Sequence, residues 1–192
     1  MTPRLLRWID AAAQPWRNGG GVTRELLAWP PGTAWQVRVS VADIERDGPF
    51  SVFPGVQRWF VVLQGAGVAL TVDGRVQCLA RGDAPLLFAG DAAVDCRLLD
   101  GPTRDLNLML RGASGALAPA VDGQPWSPGA AQCGLYSAVA GRCRTDNLGF
   151  DVPALALLWF DNAPQQLVFE AGARPANLIG WWLATTPRES TT

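Results

Sequence analysis

The sequence predicts an all-β protein built as a barrel or a sandwich. Short apolar runs recur about every ten residues and are separated by clusters of Gly, Pro and Asp, a spacing typical of such folds. Residues 35–42 alternate cleanly, with valines on one face and mostly polar side chains on the other. The pair Asp73-Gly74 is typical of the tight turn that joins two antiparallel strands. No long amphipathic helical pattern occurs in the sequence.

Each strand is predicted from an apolar run and from the turn residues that bound it. Residues 58–63 and 68–72 flank the sequence Gln-Gly-Ala-Gly at 64–67, and we interpret this segment as a hairpin. Residues 112–128 are rich in Ala, Gly and Pro, which indicates a linker or an irregular crossover. The remaining strands are expected at residues 22–29, 35–42, 75–79, 86–88, 94–99, 104–111, 155–160, 166–170 and 177–183.

With 192 residues the chain can form one large β domain or two small, tightly joined ones. We expect residues 1–111 to form an N-terminal barrel that carries a ligand pocket. Residues 112–192 would supply the crossover and a C-terminal β half, packed on that barrel as one compact unit. The second half has fewer polar residues on its expected strands, so we interpret it as the structural half.

The balance of charges argues against nucleic acid as a partner. The net charge is −1 and the arginines are scattered along the chain, so no basic patch is indicated. The first residues hold no apolar run of signal-peptide length, and no segment approaches the roughly 18 apolar residues of a membrane span. We therefore expect a cytoplasmic protein without a membrane partner. The oligomeric state stays open, a homodimer included.

The chain contains neither histidine nor lysine. Imidazole is the commonest side-chain ligand for metals such as zinc, copper and non-haem iron, so we expect no bound metal, and we expect no other cofactor. Ser51 has no histidine or lysine that could activate it as a nucleophile, and a lysine Schiff base is excluded. The four cysteines form no Cys-x-x-Cys pair, so we expect free thiols, with a Cys133–Cys143 disulfide as the alternative.

Residues 16–25, Trp-Arg-Asn-Gly-Gly-Gly-Val-Thr-Arg-Glu, form the most unusual motif of the chain. Three consecutive glycines allow positive φ angles and could expose backbone amides to an anion. Polar residues surround the glycines, so Asn18, Thr23, Arg24 and Glu25 are candidate site residues. The alternative is a flexible turn that precedes a strand.

Strand alternation points independently to a polar pocket. Arg38 and Ser40 share one face of their strand, and Asp105 and Asn107 share one face of theirs. In a small barrel one face of each strand must point inward, where polar groups need a partner or a ligand. The alternative is an internal salt bridge from Arg38 or Arg58 to Asp105 that only closes the barrel.

Five motifs occur in an order that resembles the HutD/Ves family. They are WRNGGGVTRE at residues 16–25, VRVSVA at 37–42, DGPFSVFPGVQR at 47–58, FAGD at 88–91 and DLNLM at 105–109. The likeness runs from residue 16 to about residue 109. It implies a cupin-like fold, that is, a double-stranded β-helix or jelly-roll barrel, in a compact bicupin whose second barrel is degenerate. It also implies an association with bacterial histidine utilisation.

A further comparison with ordinary cupins implies a pocket without metal ligands. Their histidine and glutamate ligand positions correspond here to Ser51, Phe53, Arg58 and Ala93. Arg58 would repel a cation at the position where a carboxylate usually holds it. The resemblance therefore implies a pocket that binds an anion, with Phe53 and Phe88 as an apolar wall.

We expect a metal-free protein that binds a small acidic metabolite, with formylglutamate or urocanate implied by the family, in a regulatory or accessory capacity. Arginine suits a carboxylate because its planar guanidinium can donate two parallel hydrogen bonds. The expected ligand-binding residues are Asn18, Thr23, Arg24, Glu25, Arg38, Ser40, Ser51, Phe53, Arg58, Phe88, Asp105 and Asn107.

Two other functions stay open at this point. The first is a cofactor-free isomerase or lyase acting on the same class of ligand, with Glu25 or Asp105 as the base. The second is a structural or protein-binding module whose interior is filled by its own side chains. An open pocket lined by two arginines would favour the binding protein, and a closed interior would favour the module.

Overall fold

The computed structural model describes residues 2–172 and 178–188, and these residues are almost entirely β-strand and loop. The one helical element among them is a 3-10 turn at Trp8–Asp10, and no described helix is long and apolar enough to cross a membrane. The strands are β1 Arg4–Arg7, β2 Ala13–Pro15, β3 Gly21–Trp29, β4 Val37–Ile44, β5 Gly48–Pro49, β6 Val56–Gln64, β7 Val68–Val72, β8 Arg75–Leu79, β9 Leu86–Ala89, β10 Val94–Leu98, β11 Thr103–Arg111, β12 Ala113–Ala120, β13 Gln132–Ser137, β14 Gly141–Arg144, β15 Gly149–Val152, β16 Ala156–Phe160, β17 Val168–Ala171 and β18 Gly180–Pro187. The all-β prediction is confirmed, although the predicted strand at 177–183 begins outside the described residues.

The chain divides into two compact units. One unit comprises Ala12–Gly112, and the other comprises Met1–Ala11 together with Ala113–Thr192. The sequence-based division at residue 111 differs from this at the N-terminus. Strand β1 pairs with β16 of the C-terminal half, so the first residues belong to that unit and not to the N-terminal barrel.

The unit of residues 12–112 consists of two antiparallel sheets. A six-stranded sheet has the order β2-β3-β4-β11-β6-β9, and a four-stranded sheet has the order β5-β10-β7-β8. Apolar side chains from both sheets form one buried cluster, so the core lies between them. Its members are Ile44, Phe60, Val62, Val68, Leu70, Leu79, Phe88, Val94 and Cys96.

The polar face of the six-stranded sheet points into this core. Ile44 lies in the core cluster and shares its face of β4 with Ser40 because side chains alternate along a strand. Ser40 pairs with Asn107 of β11, and Asn107 pairs with the core residue Phe60 of β6. The predicted inward position of these polar side chains is therefore correct.

The interpretation of residues 64–67 as a hairpin is wrong. Strand β6 pairs with β9 and β11, whereas β7 pairs with β8 and β10 of the other sheet. Gly65 and Gly67 have φ angles of 93° and 107°, and a Cβ atom at Gly67 would lie 2.2 Å from the Leu79 carbonyl oxygen. The glycines therefore carry the chain from one sheet to the other. The predicted turn at Asp73-Gly74 does join β7 to β8.

The second unit also contains two antiparallel sheets. One has the order β1-β16-β13-β18-β12 and the other the order β15-β14-β17. The segment predicted as a crossover begins with the eight-residue strand β12, which pairs with β18 at the edge of its sheet. An edge strand tolerates Pro119 because one side of its backbone needs no ladder partner. That this unit is a degenerate second barrel stays a prediction.

Candidate ligand-binding site

A cavity of about 480 Å³ lies within the unit of residues 12–112. Its walls come from β3, β4, β6 and β11 and from the segments that precede β3 and β6. The residues that line it are Gln14, Pro15, Trp16, Arg17, Asn18, Thr23, Arg38, Ser40, Ala42, Pro49, Phe50, Ser51, Phe53, Arg58, Asp105, Asn107 and Met109. Most of the site residues expected from the sequence are among them.

Three of the expected residues do not line the cavity. Arg24 pairs with Val41 and so lies on the sheet face opposite to Thr23. Glu25 binds Arg38, with its Oε2 at 2.6 Å from the Arg38 Nε. Phe88 lies beside Arg58 on the neighbouring strand β9, with its ring 5.0 Å from the guanidinium carbon of Arg58.

Arg58 is a buried cation in an aromatic setting. Arg58 is 7% exposed. Its guanidinium carbon lies 5.2 Å from the centre of the Phe50 ring and 5.6 Å from that of the Phe53 ring. Such contacts between a cation and ring faces are favourable and strengthen when both partners are desolvated. Burial lowers the pKa of Arg58 to about 10, although the charge of Asp105 opposes that shift. Arg58 therefore stays charged at neutral pH.

Asn107 connects Arg58 to Asp105. Its Oδ1 accepts a hydrogen bond of 3.0 Å from Arg58 Nη2, while its Nδ2 donates a short hydrogen bond to Asp105 Oδ1. Arg58 also donates a weaker bond of 3.4 Å to the Ser51 carbonyl oxygen. The Asn107 amide thus links Asp105 to Arg58 by two hydrogen bonds. The direct salt bridge from Arg38 or Arg58 to Asp105, which was the alternative expected from the sequence, does not form.

Asp105 is an acid in an unfavourable environment for its charge. The residue is 1% exposed, and its Oδ2 accepts no hydrogen bond from the described residues. Burial raises the pKa of Asp105 well above its usual value, and Arg58 only partly opposes that effect. A neutral carboxylic acid is the form that such an environment favours.

Arg38 is already neutralised within the protein. Besides its ion pair with Glu25, its Nη1 approaches the Met109 sulfur at 3.4 Å. The ion pair is partly buried, and a ligand would have to compete with Glu25 for the guanidinium. Arg58, without a paired carboxylate, is therefore the better-placed cation of the two for an incoming anion.

The glycine-rich motif forms an ordered turn beside the cavity. Trp16 Nε1 donates a hydrogen bond of 2.8 Å to Thr23 Oγ1, and the Gly20 amide donates one of 3.0 Å to Asn18 Oδ1. A Cβ atom at Gly21 would lie 2.3 Å from the Asp43 carbonyl oxygen, which explains the need for glycine there. Because the Gly20 amide is already bonded, the motif serves to position Asn18 and Thr23 rather than to present that amide to an anion.

Sequence reasoning missed several residues of the cavity wall. Met109 follows Asp105 and Asn107 at the same two-residue spacing on β11, so strand alternation could have placed it on the inner face. Phe50 directly precedes Ser51, but no periodic signal marks the irregular segment before β6. Gln14 and Arg17 line the cavity from the segment before β3.

The described residues provide no cluster of side chains suited to bind a metal ion. Across the part of the chain that the structure describes, no group of three Cys, Asp or Glu side chains could hold an ion together. All four cysteines are free thiols, with Cys78 exposed and the other three buried. The expectation of a metal-free site stays a prediction that elemental analysis can test.

The chain matches the sequence model of the HutD family over residues 9–153. It is 43% identical over 110 residues to an uncharacterised 21.2 kDa protein in the hutC 3′ region of Pseudomonas putida. That match covers 55% of this chain and 57% of the relative, so the chain spans little more than half the length of this curated relative.

Solved structures resemble the whole chain. HutD from Pseudomonas fluorescens SBW25, determined in a formate condition, has 30% identity and a TM-score of 0.82 over 98% of this chain and 100% of its own. A conserved protein of unknown function from Pseudomonas aeruginosa has 28% identity and a TM-score of 0.85 over 97% and 100% of the two chains. Protein YlbA from E. coli, with 10% identity, has a TM-score of 0.69 over 96% and 90% and indicates the fold alone, which is cupin-like. With a family model matched over more than half of its length, this chain belongs to the HutD family.

Proposed function

We propose that this protein binds a small carboxylate in the cavity of the 12–112 unit and acts as an accessory or regulatory factor in histidine utilisation. The observation that carries the proposal is the environment of Arg58. A charged guanidinium lies in the cavity wall, in contact with three aromatic rings. It donates a hydrogen bond to the Asn107 side-chain amide and forms no ion pair with a carboxylate of the described residues. A buried cation of this kind gains from an anionic ligand.

The form and size of the cavity also favour a small organic acid. Its volume of about 480 Å³ is within the usual range of small-molecule sites, roughly 300–1,000 Å³. Phe50, Phe53 and Met109 supply apolar wall, while Ser40 and Thr23 supply hydroxyl groups. Such a combination holds the carbon skeleton of a ligand and fixes the direction of its polar ends.

Known relatives suggest which acids to test first. One relative is encoded in a hutC 3′ region, and the similar HutD structure was determined in a formate condition. Formylglutamate and urocanate are the intermediates that the family resemblance suggests, and formate is the smallest carboxylate probe. The proposal places this binding in the cytoplasm.

The cavity argues against the two other functions left open by the sequence. A structural module was expected to have an interior filled by its own side chains, and the cavity is open. An acid–base enzyme with Glu25 as the base is disfavoured because Glu25 is engaged by Arg38. Asp105 is buried to 1% exposure and has no second carboxylate beside it in the cavity wall.

A thermal-shift screen tests the proposal. The panel holds formate, acetate, formylglutamate, urocanate and, as controls, the corresponding neutral amides. A binding acid at about 100 times its Kd should raise the unfolding free energy by about 2.7 kcal/mol, and its amide should raise it far less. If no acid of the panel stabilises the protein, or if amides do so equally, the carboxylate proposal fails.

A further inference from the structure

We infer that Asp105 determines the charge of the ligand: it is a neutral carboxylic acid in the complex, so that a singly charged carboxylate binds together with a proton wherever Asp105 is ionised in the ligand-free protein. The inference rests on the proposed function and deepens it. It makes Asp105 a specificity-determining residue and predicts that binding weakens as the pH rises. Binding at this site then senses pH as well as the concentration of the acid.

The hydrogen bonds around Asp105 carry the inference. Asn107 has one amide and directs its Nδ2 to Asp105 Oδ1, while its Oδ1 is used by Arg58. Asp105 Oδ2 receives no donor from the described residues, and the side chain is almost fully buried. An ionised carboxylate would need more donors than this single amide, whereas a neutral carboxylic acid costs far less to bury without further partners.

The charges of the cavity lead to the same conclusion. Arg38 and Glu25 neutralise each other, which leaves Arg58 and Asp105 as the two charged groups that are buried in the wall. If Asp105 is ionised, these two charges cancel and an anion gains little. If Asp105 is neutral, Arg58 contributes one uncompensated positive charge, which matches a monoanion. A bound carboxylate therefore raises the affinity of Asp105 for its proton.

The other charged and titratable groups near Asp105 do not replace it as the source of a proton. Asp43 on β4 is ion-paired with Arg104, and Arg17 at the cavity is exposed. Burial raises the pKa of Cys96 on β10 to about 12, so this thiol stays protonated. Because the chain has no histidine, no imidazole titrates near neutrality. A proton taken up on binding is therefore expected mainly on Asp105.

Calorimetric titration with sodium formate tests the inference. Formate stays ionised throughout this pH range, so it does not supply the pH dependence itself. The intact wild-type protein and Asp105→Asn are compared at about pH 6, 7.5 and 9, each in two buffers of different ionisation enthalpy. Asparagine keeps the size of the side chain and can donate a hydrogen bond, as a protonated aspartate does.

For the wild type we expect proton uptake that rises with pH towards one proton per formate, and an affinity that falls up to tenfold per pH unit. Asp105→Asn should take up at most the small fraction of a proton that Arg58, with its pKa of about 10, contributes near pH 9, and its affinity for formate relative to the wild type should increase with pH. The two proteins should differ least at the lowest pH of the series. Parallel pH profiles of the two proteins, or wild-type binding without proton uptake in any buffer, would overturn the inference.

Two arms separate failure of the inference from failure of the proposed function. If the wild type binds formate, Arg58→Met binds it more weakly and Asp105→Asn binds it with unchanged affinity and pH dependence, only the inference fails. If formate binds neither protein at any pH, the carboxylate site is refuted and the inference with it. Should Asp105→Asn not fold, the proton count of the wild type in paired buffers decides the matter alone.

Discussion

At the scale of single residues, the site depends on an arginine whose position is fixed without a carboxylate. Phe50, Phe53 and Phe88 surround the guanidinium of Arg58, and Asn107 accepts its hydrogen bond. This arrangement keeps the cation in place but leaves its charge unpaired. An anion can therefore bind without displacing an internal partner, which is not true of Arg38.

Replacing Arg58 should reduce affinity for a carboxylate without removing the fold. Arg58→Met keeps apolar volume among the rings, and the binding free energy should weaken by about 2–5 kcal/mol because a desolvated charge pair is lost. Arg58→Ala should weaken binding similarly and also create a cavity. Titration calorimetry measures the affinity, and circular dichroism checks the fold.

Arg104→Met provides the matched control for Arg58. Arg104 is another partly buried arginine of the same unit, ion-paired with Asp43, and it does not line the cavity. Its replacement should leave affinity within about threefold of the wild type. If Arg58→Met keeps full affinity, or if binding falls only in proportion to the unfolded fraction, Arg58 is structural and the site lies elsewhere. The double variant Arg58→Ala/Asp105→Asn measures how the two residues couple.

Asp105 should make the ligand-free protein less stable as the pH rises. Its folded-state pKa is raised above the unfolded value of about 3.9, mainly by burial. The stability it contributes is present below that unfolded value and is lost as the pH rises through the folded pKa. Asp105→Asn cannot ionise, so its advantage in Tm over the wild type should grow with pH above about 4.

Asp95→Asn serves as the control for that comparison because Asp95 is exposed in the same unit. Its Tm should follow that of the wild type across the same pH series. Thermal unfolding by circular dichroism between about pH 4 and pH 9 gives the three curves. A constant difference in Tm between Asp105→Asn and the wild type would contradict the assignment.

At the scale of elements, a short irregular segment before β6 completes the cavity wall. The Phe53 amide donates to the Gly90 carbonyl oxygen, and the Gly90 amide donates to the Val56 carbonyl oxygen, both at 2.6 Å. A Cβ atom at Gly90 would lie 2.5 Å from the Phe53 carbonyl oxygen. Gly90 thus allows the close approach that sets Ser51 and Phe53 against the cavity.

Gly90→Ala should disturb both stability and binding. Forcing a methyl group into this contact should cost about 1–3 kcal/mol of unfolding free energy, and the shift of Phe53 should lower affinity for a carboxylate. Chemical denaturation and calorimetry measure the two effects. Gly172→Ala is the control, because a Cβ there would meet its nearest atom at an ordinary 3.5 Å. Equal unfolding free energies of the two variants would contradict the prediction, because they would show that the segment before β6 can shift to accommodate a methyl group at little cost.

The strands also show what local sequence can and cannot predict. A period of two placed Ser40, Asp105 and Asn107 on an inner face because alternation depends only on the strand itself. The same rule says nothing about which sheet a strand joins, so residues 64–67 resembled a hairpin although β6 and β7 lie in different sheets. Edge strand β12 was missed because pairing with β18, and not its own composition, makes it a strand.

The partners of the site side chains were even less predictable. Arg38 and Arg58 have the same residue type and both reach the cavity, yet only Arg38 has a carboxylate partner, Glu25. That difference depends on contacts between strands that are distant in sequence. The aromatic rings that contact Arg58 of β6 likewise come from different parts of the chain, namely strand β9 and the segment before β6. No local pattern carries such information.

At the scale of the whole molecule, the candidate site is contained within one unit. Every residue that lines the cavity lies between residues 14 and 109, inside the unit of residues 12–112 and inside the family match at 9–153. The cupin-like fold therefore provides a complete pocket in its N-terminal part. The resemblance of the sequence to ordinary cupins implies that residues such as Ser51 and Arg58 occupy the positions where those proteins carry metal ligands.

The purified protein should contain no stoichiometric transition metal. Arg58 repels a cation at the cavity, and the chain has no histidine to bind one. Elemental analysis by plasma mass spectrometry, on protein produced in medium supplemented with zinc, iron and manganese, measures the metal per chain. One ion of any of these metals per chain that survives gel filtration would contradict the prediction.

The most direct test of the account is a crystal structure of the protein grown with formate and, separately, with formylglutamate. We expect the ligand carboxylate in the cavity with an oxygen about 3 Å from the guanidinium of Arg58, and no ligand in crystals of Arg58→Met. Density for the acid only at surface arginines, with none in the cavity at saturating concentration, would contradict the central claim that this cavity is a carboxylate site.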